Sequence, residues 1–489
     1  MAQLLPVITN IINLSLTQGY MPYDYKLAHL FPSLKKPTLE LISNHYRPIS
    51  NLSFVSKTIE RAASSQLIQH MITNNLYEKY QSAYTEGRST ETVLLRVQND
   101  IRMAMDRQEV TVLLLLDMSA AFDTVDHSIL LQRLSVRLGV CGTALKWLES
   151  YLTGRRQVVN INGSLSKELP LTCGVPQGSA LGPILYLIYT LPIGDILARH
   201  QLKYQLFADD NQYYISFKVQ NIDTNIDKIT ACLNDVREWL LPNFVKNNGD
   251  KTELSIHGTV QQLAKLTNVF IEIDNVKIVP KPHVRDLGVM LDPSLNMKEH
   301  VSALCRSAYY ELHNINCIRK SLSAEAAAAA IHAFVTSRLD HCNALLYGLP
   351  NCTIDRLQKV QNSAARALTG SKKRDHITPI LKSLHWLPIR VRIEYKLLVI
   401  VHKCLFGNGP DYLRDLLVFH QPNRSLRSTS EINLLVEPFT KNTTGGDRSF
   451  QKAGPKLWNK LPQRLRTCNS TDQFKCQLKS YLYSRTFDQ

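Results

Sequence analysis

Three aspartates stand where an uncompensated acid is costly. Asp117 closes the run VTVLLLL at 110–116, and Asp209 and Asp210 lie between Leu206, Phe207, Ala208 and Tyr213, Tyr214, Ile215. A carboxylate at a buried strand end needs a cation partner. No Lys or Arg lies within four residues of the Asp209-Asp210 pair on either side. A divalent ion suits such a place, because it takes a few hard oxygen ligands and lets substrate phosphates complete its shell. Two such ions about 3.5–4 Å apart would activate a hydroxyl nucleophile and stabilise a phosphate leaving group. Taken singly, each aspartate reads as well as a turn or cap residue, and an Asp-Asp pair in a hairpin bend most of all.

These residues need elements to hold them. Residues 110–116 read as a buried central strand. A helix is expected over 1–20, ended near Gly19, with Leu4, Leu5, Ile8, Ile11, Ile12 and Leu16 on one face. Further helices are expected over 53–76, 89–108, 127–138 and 143–152, and residues 26–50 are basic and extended, with Pro32, Pro37 and Pro48. Segments 156–161 and 165–171 flank Asn162-Gly163, a strong hairpin signal. The loop Gly174, Val175, Pro176, Gln177, Gly178 precedes a helix reaching Thr190. Segments 202–208 and 211–217 form a second expected hairpin with the Asp209-Asp210 pair at its bend. A helix over 221–240, an extended segment 251–257 and one short strand at 284–291 follow, and beyond 297 the pattern is mainly helical, including 326–330. Asn408, Gly409 and Pro410, and the Ser-, Thr- and Asn-rich stretch 421–447, read as linkers.

The ordered set says more than its members. VLLLLDMSAAFD, GVPQGSALGPILYLIYT, YQLFADDNQYYISF, NNGDKTEL and VRDLGVMLD follow one another along the chain. This succession resembles the palm motifs of reverse transcriptases. KLAHLFPSLKKP and HYRPISNLSFVSKTIERAASSQL resemble the fingers motifs of non-LTR (LINE-type) retrotransposon polymerases. LHWLPIRVRIEYKLLVIVHKCLFGNGPDYLRDLL and AGPKLWNKLPQRLR are similar to the region after the polymerase in the jockey and chicken-repeat branch. The resemblance covers essentially the whole chain, and it implies an N-terminal endonuclease domain that this sequence does not contain.

The resemblance implies an α+β right-hand polymerase with an antiparallel palm sheet, followed by a mainly helical C-terminal region. Its parts would be an N-terminal helix over 1–20 and a reverse transcriptase domain over 18–292, with fingers 20–105 and palm 106–292. A helical thumb and basic region would occupy 297–489. The implied activity is RNA-directed DNA synthesis: a primer 3′-hydroxyl attacks a dNTP on an RNA template with two Mg²⁺ ions, Mn²⁺ being a substitute. Asp117, the Met118 carbonyl, Asp209 and Asp210 would hold the ions, and Lys251 would act as general acid near the pyrophosphate. Phe122, five residues after Asp117, would fill the space of a ribose 2′-hydroxyl, while Asp123 would orient the motif. Pro176, Gln177 and Gly178 would lie against template and incoming base, with Gly178 permitting close backbone approach. Lys36, Arg47 and Arg88 would neutralise the triphosphate. In QSAYTEGRST, Thr85 stands where the family often has a basic residue. That departure keeps a second reading open, a catalytically decayed nucleic-acid-binding remnant. An RNA-dependent RNA polymerase is a third reading, and Phe122 argues against it.

Charge distribution fits a polyanion partner. Net charge is +16; residues 1–296 carry 28 basic and 27 acidic side chains, whereas residues 297–489 carry 29 and 14. A basic C-terminal part of this kind favours template RNA and primer or target DNA by releasing their counterions. The ten cysteines form no CxxC pair, which argues against zinc and for reduced thiols in an intracellular protein. The N-terminus has no basic signal-peptide region and no apolar run long enough to span a bilayer. The sequence therefore implies no membrane and no stable protein partner. It implies a nuclear or cytoplasmic place as a ribonucleoprotein.

Overall fold

Local sequence chemistry sets where most elements begin and end. The computed structural model describes residues 4–36, 38–42, 45–119, 122–247, 251–273, 276–407, 409–420, 433–442 and 445–488. Helix α1 (Leu4–Gln18) stops at Gly19, whose φ of +67° suits a residue without a Cβ. Strands β1 (Leu27–Leu34) and β2 (Tyr46–Asn51) lead to helix α2 (Phe54–Thr73), capped by the Ser53 hydroxyl. Helix α3 (Thr90–Asp106) begins with a capping box in which Ser89 and Thr92 satisfy each other's backbone N–H. Strand β3 (Val110–Ser119) contains the apolar run: Val110, Val112, Leu113 and Leu114 are at most 1% exposed. That burial matches the continuous hydrophobicity expected of an interior strand.

Helices α4 (His127–Val136) and α5 (Gly142–Leu152) precede β4 (Arg155–Ile161), β5 (Ser164–Leu165) and β6 (Leu169–Leu171). Asn162 and Gly163 both have positive φ and close the expected hairpin, pairing Ile161 with Ser164. Helices α6 (Gly182–Thr190) and α7 (Pro192–Arg199) then lead to β7 (Lys203–Phe207) and β8 (Asp210–Phe217), joined by Ala208 and Asp209. Helix α8 (Ile222–Leu240), β9 (Lys246–Asn247) and β10 (Glu253–His257) follow.

The chain divides into two compact units that do not follow chain order. The first holds Met1–Tyr84, Leu116–Asn211 and Asp227–Thr252; the second holds Thr85–Leu115, Gln212–Ile226 and Glu253–Gln489. In the first unit, β1 runs antiparallel to β2 (Leu34 opposite Tyr46) and parallel to β4 (Leu27 opposite Arg156), so this sheet is mixed. The end of β3 pairs antiparallel with β9, Met118 facing Asn247. Helix α1 is less buried than its periodicity suggests: Leu4 and Leu5 are more than 60% exposed, and only Ser15 is buried.

In the second unit, the start of β3 pairs antiparallel with β10, Leu115 facing Glu253. The single strand expected at 284–291 is two, Val284–Asp286 and Val289–Leu291, because Leu287 and Gly288 both take positive φ and turn the chain back. The rest of the unit is mainly helical, as expected beyond 297. Helix Ile389–Leu405 is at its centre, with His402 stacked on Phe474 at 4.1 Å between ring centroids. The sequence assignments at Pro37, residues 248–250, Asn408 and 421–432 lie outside the described residues.

Candidate active site

The first unit contains a cleft of about 700 Å³ lined by Asp117, Met118, Phe122, Asp123, Pro176, Gln177, Gly178, Asp209, Arg47 and Lys251, together with Lys35, Tyr46, Pro48, Tyr84, Ser179 and Pro183. Segments more than 90 residues apart are brought together here by three devices. Strand β3 delivers Asp117 at its far end, beyond the buried run. The turn between β7 and β8 delivers Asp209, and the Met118 N–H donates to the Asp209 carbonyl at 3.2 Å, tying the two acidic segments at the backbone. Ser50 on β2 donates its N–H to the Gln177 carbonyl at 2.7 Å, which fixes the 174–178 loop beside the strand that carries Arg47.

The loop is held at both ends. Gly174 has φ +80°, and a Cβ there would lie 2.7 Å from the Asp123 carbonyl; its N–H donates to Val125 and its carbonyl meets His127 Nε2 at 2.8 Å. Gly178 has φ +120°, and a Cβ would meet the Ser50 carbonyl at 2.5 Å. The close approach that Gly178 permits is therefore to the protein's own β2 backbone. Gln177 Nε2 donates to both carboxylate oxygens of Asp123, at 3.0 and 2.9 Å. Burial raises the Asp123 carboxyl above its ordinary range while the Gln177 bonds pull it down. Behind the loop, the fully buried Glu60 accepts from the Ser179 hydroxyl at 2.8 Å and the Ala180 N–H at 2.7 Å. Phe122 is half-buried, its ring 4.9 Å from that of Tyr186, whose hydroxyl reaches the Met118 sulfur at 3.4 Å.

Electrostatics mark the acidic end of the cleft. Burial raises the Asp209 carboxyl, the Asp117 charge adds to this, and Lys251 and Arg47 oppose it. Asp210 is pushed up to about 6 by burial, then by Asp209 and Asp117. The three carboxylates thus lie within one another's field. Lys251 Nζ sits 2.7 Å from Asp117 Oδ2. Among the described residues, no group of three or more His, Cys, Asp or Glu side chains is gathered tightly enough to hold an ion as placed. The Asp117 carboxylate faces Lys251, and Asp210 stands at the edge, exposed and outside the lining. The charged oxygen donors that line the cleft are carboxylates, beside hydroxyl and amide oxygens, with no imidazole or thiolate among them. Such a set fits Mg²⁺ or Mn²⁺ better than a thiophilic ion.

Besides Asp210, two expected residues lie outside the lining. Lys36 is exposed, and its neighbour Lys35 lines the cleft instead. Arg88 belongs to the second unit, where its guanidinium packs 5.6 Å from the Tyr412 ring centroid. Sequence reasoning missed Tyr46, Pro48, Tyr84, Ser179 and Pro183. Tyr46 and Pro48 flank Arg47 on β2, and Ser179 follows Gly178, so adjacency to expected site residues was the available signal. A second cavity, about 480 Å³ under α1, α2 and α5, is lined mostly by apolar side chains and contains no carboxylate.

Residues 34–291 match the family model described as reverse transcriptase (RNA-dependent DNA polymerase). The chain belongs to this family. It is 28% identical over 370 residues to a probable RNA-directed DNA polymerase from transposon X-element of Drosophila melanogaster, covering 74% of this chain and 40% of that protein. It is 25% identical over 379 residues to an RNA-directed DNA polymerase from mobile element jockey of Drosophila funebris, again covering 40% of the relative. This reverse transcriptase family member therefore spans about two fifths of the length of these relatives. Apo telomerase from Candida tropicalis overlays with a TM-score of 0.44 at 10% identity, over 80% of this chain and 67% of that one. Among the described residues, no helix is long and apolar enough to cross a membrane.

Proposed function

We propose that this chain is the RNA-directed DNA polymerase of a non-LTR retrotransposon, extending a primer 3′-hydroxyl with dNTPs on an RNA template. The observation that carries the reading is that Asp117 and Asp209, 92 residues apart, line one cleft with the Gln177 loop and Phe122. In this reading Asp117, the Met118 carbonyl, Asp209 and Asp210 hold two Mg²⁺ ions. When bound there, the ions supply Lewis acidity at the attacking and leaving oxygens.

The chain's own groups do the rest. Lys251, already beside Asp117, gives a proton to the leaving pyrophosphate. Arg47 and Lys35, which line the same cleft, neutralise the triphosphate, Lys35 taking the part expected of Lys36. The Phe122 ring, backed by Tyr186, excludes a ribose 2′-hydroxyl. Pro176, Gln177 and Gly178 support the templating base. Fingers, palm and thumb would be 20–105, 106–292 and the start of 297–489. The cationic C-terminal residues would grip template RNA or target DNA. Ten free cysteines suit a reducing compartment, nucleus or cytoplasm, where the chain would act as a ribonucleoprotein.

The test is primer extension on an RNA template with purified protein, Mg²⁺ and dNTPs. Wild type extends the primer and Asp209→Asn does not. Equal incorporation by the two would end the assignment.

A further inference from the structure

Asp209 is carried on a backbone conformation that alanine rarely adopts. Ala208, immediately before it, has φ +59°, in the left-handed region where a Cβ crowds the chain. The group that holds it there comes from 127 residues earlier. Gln81 Oε1 accepts the Ala208 N–H at 3.2 Å and also the N–H groups of Ser82 and Ala83, at 3.0 Å each. Gln81 is 4% exposed, so those donors have little access to water. Three donors share the two lone pairs of one amide oxygen, and its removal would take the side-chain acceptor from the Ala208 N–H.

The segment around Gln81 is itself laid along β7. Ser82 donates its N–H to the Leu206 carbonyl, and Leu206 donates to the Tyr80 carbonyl, both at 2.9 Å, with Gln81 and Leu206 in a parallel bridge. Upstream, the Glu78 carboxylate accepts from the Tyr204 hydroxyl at 3.0 Å and the Tyr80 N–H at 3.2 Å. The Tyr80 ring meets Tyr204 edge-on at 5.1 Å. A Cβ at Gly194 would meet the Glu78 carboxylate, so the strap packs closely over this glycine. At its other end the strap presents Tyr84, with φ +56° and 55% exposed, to the wall of the same cleft. Of the two left-handed residues, Ala208 is bonded directly to this buried amide oxygen, and Tyr84 follows Ala83, which is bonded to it as well. One precedes Asp209, and the other lines the same cleft as Asp209.

We propose that Gln81 is a positioning residue of the cleft: its amide oxygen locks the left-handed turn at Ala208 and so sets the direction of the Asp209 carboxylate. The proposal rests on the reading of Asp209 as a metal-binding group of a polymerase. Gln81 touches neither substrate nor ion. It acts through the backbone N–H of its neighbours, as second partners of metal-binding groups commonly do.

The experiment uses the full chain and two substitutions. Gln81→Met keeps length and burial but loses the acceptor, and Gln81→Glu keeps an acceptor oxygen. Mn²⁺ binding is followed by electron paramagnetic resonance, and primer extension gives kcat and the dNTP KM. Gln81→Met is expected to weaken Mn²⁺ binding and lower kcat by roughly 10–100-fold, the scale of losing a supporting partner of a metal ligand. The dNTP KM stays within about twofold, since the Arg47 wall is untouched. Adding Ala208→Gly to Gln81→Met restores much of both, because glycine enters the left-handed region without help. Gln81→Glu falls between Gln81→Met and wild type.

Wild-type Mn²⁺ affinity and kcat in Gln81→Met would overturn the proposal. So would a loss that Ala208→Gly fails to relieve, which would make Gln81 a general support of the fold. Should Gln81→Met not fold by circular dichroism, Gln81→Glu with and without Ala208→Gly makes the same comparison. A fully active Asp209→Asn overturns the polymerase reading itself. An inactive Asp209→Asn beside a fully active Gln81→Met removes only the positioning role.

Discussion

Two groups of charges from distant parts of the chain differ in how the protein treats them. In the first unit, Asp117 and Asp209 line an open cleft, Asp210 lies outside its lining, and the three repel one another with Lys251 and Arg47 as the nearby counter-charges. In the second unit, Arg102 is fully buried with Asp292 and Arg448 close by. Both guanidinium groups donate to the Leu295 carbonyl, at 3.4 and 3.3 Å. Asp292 in turn accepts from the N–H groups of Ser294, Asn296 and Met297. Burial lowers the pKa of both arginines, to about 10 for Arg448, and Asp292 opposes the shift in each. The second group is of mixed charge and largely buried. The first is like-charged and left open to whatever cation or phosphate enters. Like charges held together at a surface cost stability and return it only when a ligand arrives, which separates a working site from a structural one.

Substitutions should split the two groups cleanly. Asp209→Asn is expected to lower kcat by roughly 10³-fold, the upper scale for removing one electrostatic stabiliser of a transition state. It should leave the melting temperature unchanged or slightly higher, since it relieves repulsion. Asp292→Ala removes the acceptor of three backbone N–H groups and the counter-charge near Arg102 and Arg448, and should cost about 3–5 kcal/mol. Denaturant unfolding of both variants reads the contrast, and a destabilised Asp209→Asn beside a stable Asp292→Ala would reverse it. Phe122→Ala sharpens the distinction inside the cleft. Its expected signature is a rise of roughly 10–100-fold in ribonucleotide use relative to dNTP, the range of a steric selectivity term. Unchanged sugar discrimination in competition assays would return Phe122 to plain packing against Tyr186.

The second unit should also respond to acid in a way the cleft does not explain. His257 is fully buried and His300 nearly so, and burial lowers each to about 4; around His300, His341 and Arg285 add to the effect. Both are therefore neutral when folded at pH 7. An unfolded histidine titrates near 6.5, so the stabilisation is whole above about 6.5 and is lost as pH falls toward about 4. The slope is at most about 1.4 kcal/mol per histidine per pH unit. Urea unfolding at pH 7 and pH 5 should show the decline, and a His257→Gln, His300→Gln variant should flatten it. A decline of equal slope in that variant would exclude these histidines. The smallest expected effect is in the loop. Gly178→Ala, meeting the Ser50 carbonyl with φ at +120°, should cost about 1–3 kcal/mol and raise KM for the template-primer. An unchanged KM would show that the loop's position beside β2 does not matter to binding.

Particular residues show how much could be read ahead. The strand before Asp117 was legible because burial on both faces demands an unbroken apolar run, and the Asn162-Gly163 hairpin because only such residues enter its turn cheaply. The break at Leu287-Gly288 was missed because apolar residues stand on both sides of it and a single glycine inside so short a segment does not by itself end a strand. The exposure of α1 was missed because an apolar face specifies that something should cover it, not that something does. Lys35 could not be told from Lys36, because neighbours on an exposed strand end differ only in the face they take.

The chemistry was written in the chain: which residues are acid, which are apolar, and in what order they come. Hydrophobic pattern and residue type act over a few neighbours, so they set the elements and their charged ends. What tertiary structure alone decided was proximity between segments with no local relation. It placed Lys251 on Asp117, Ser50 against the Gln177 loop, Arg88 on Tyr412 and Gln81 under Ala208. Those pairings are chosen by the packing of whole elements and by buried hydrogen-bond donors that must find acceptors. Neither of these is encoded at any single position.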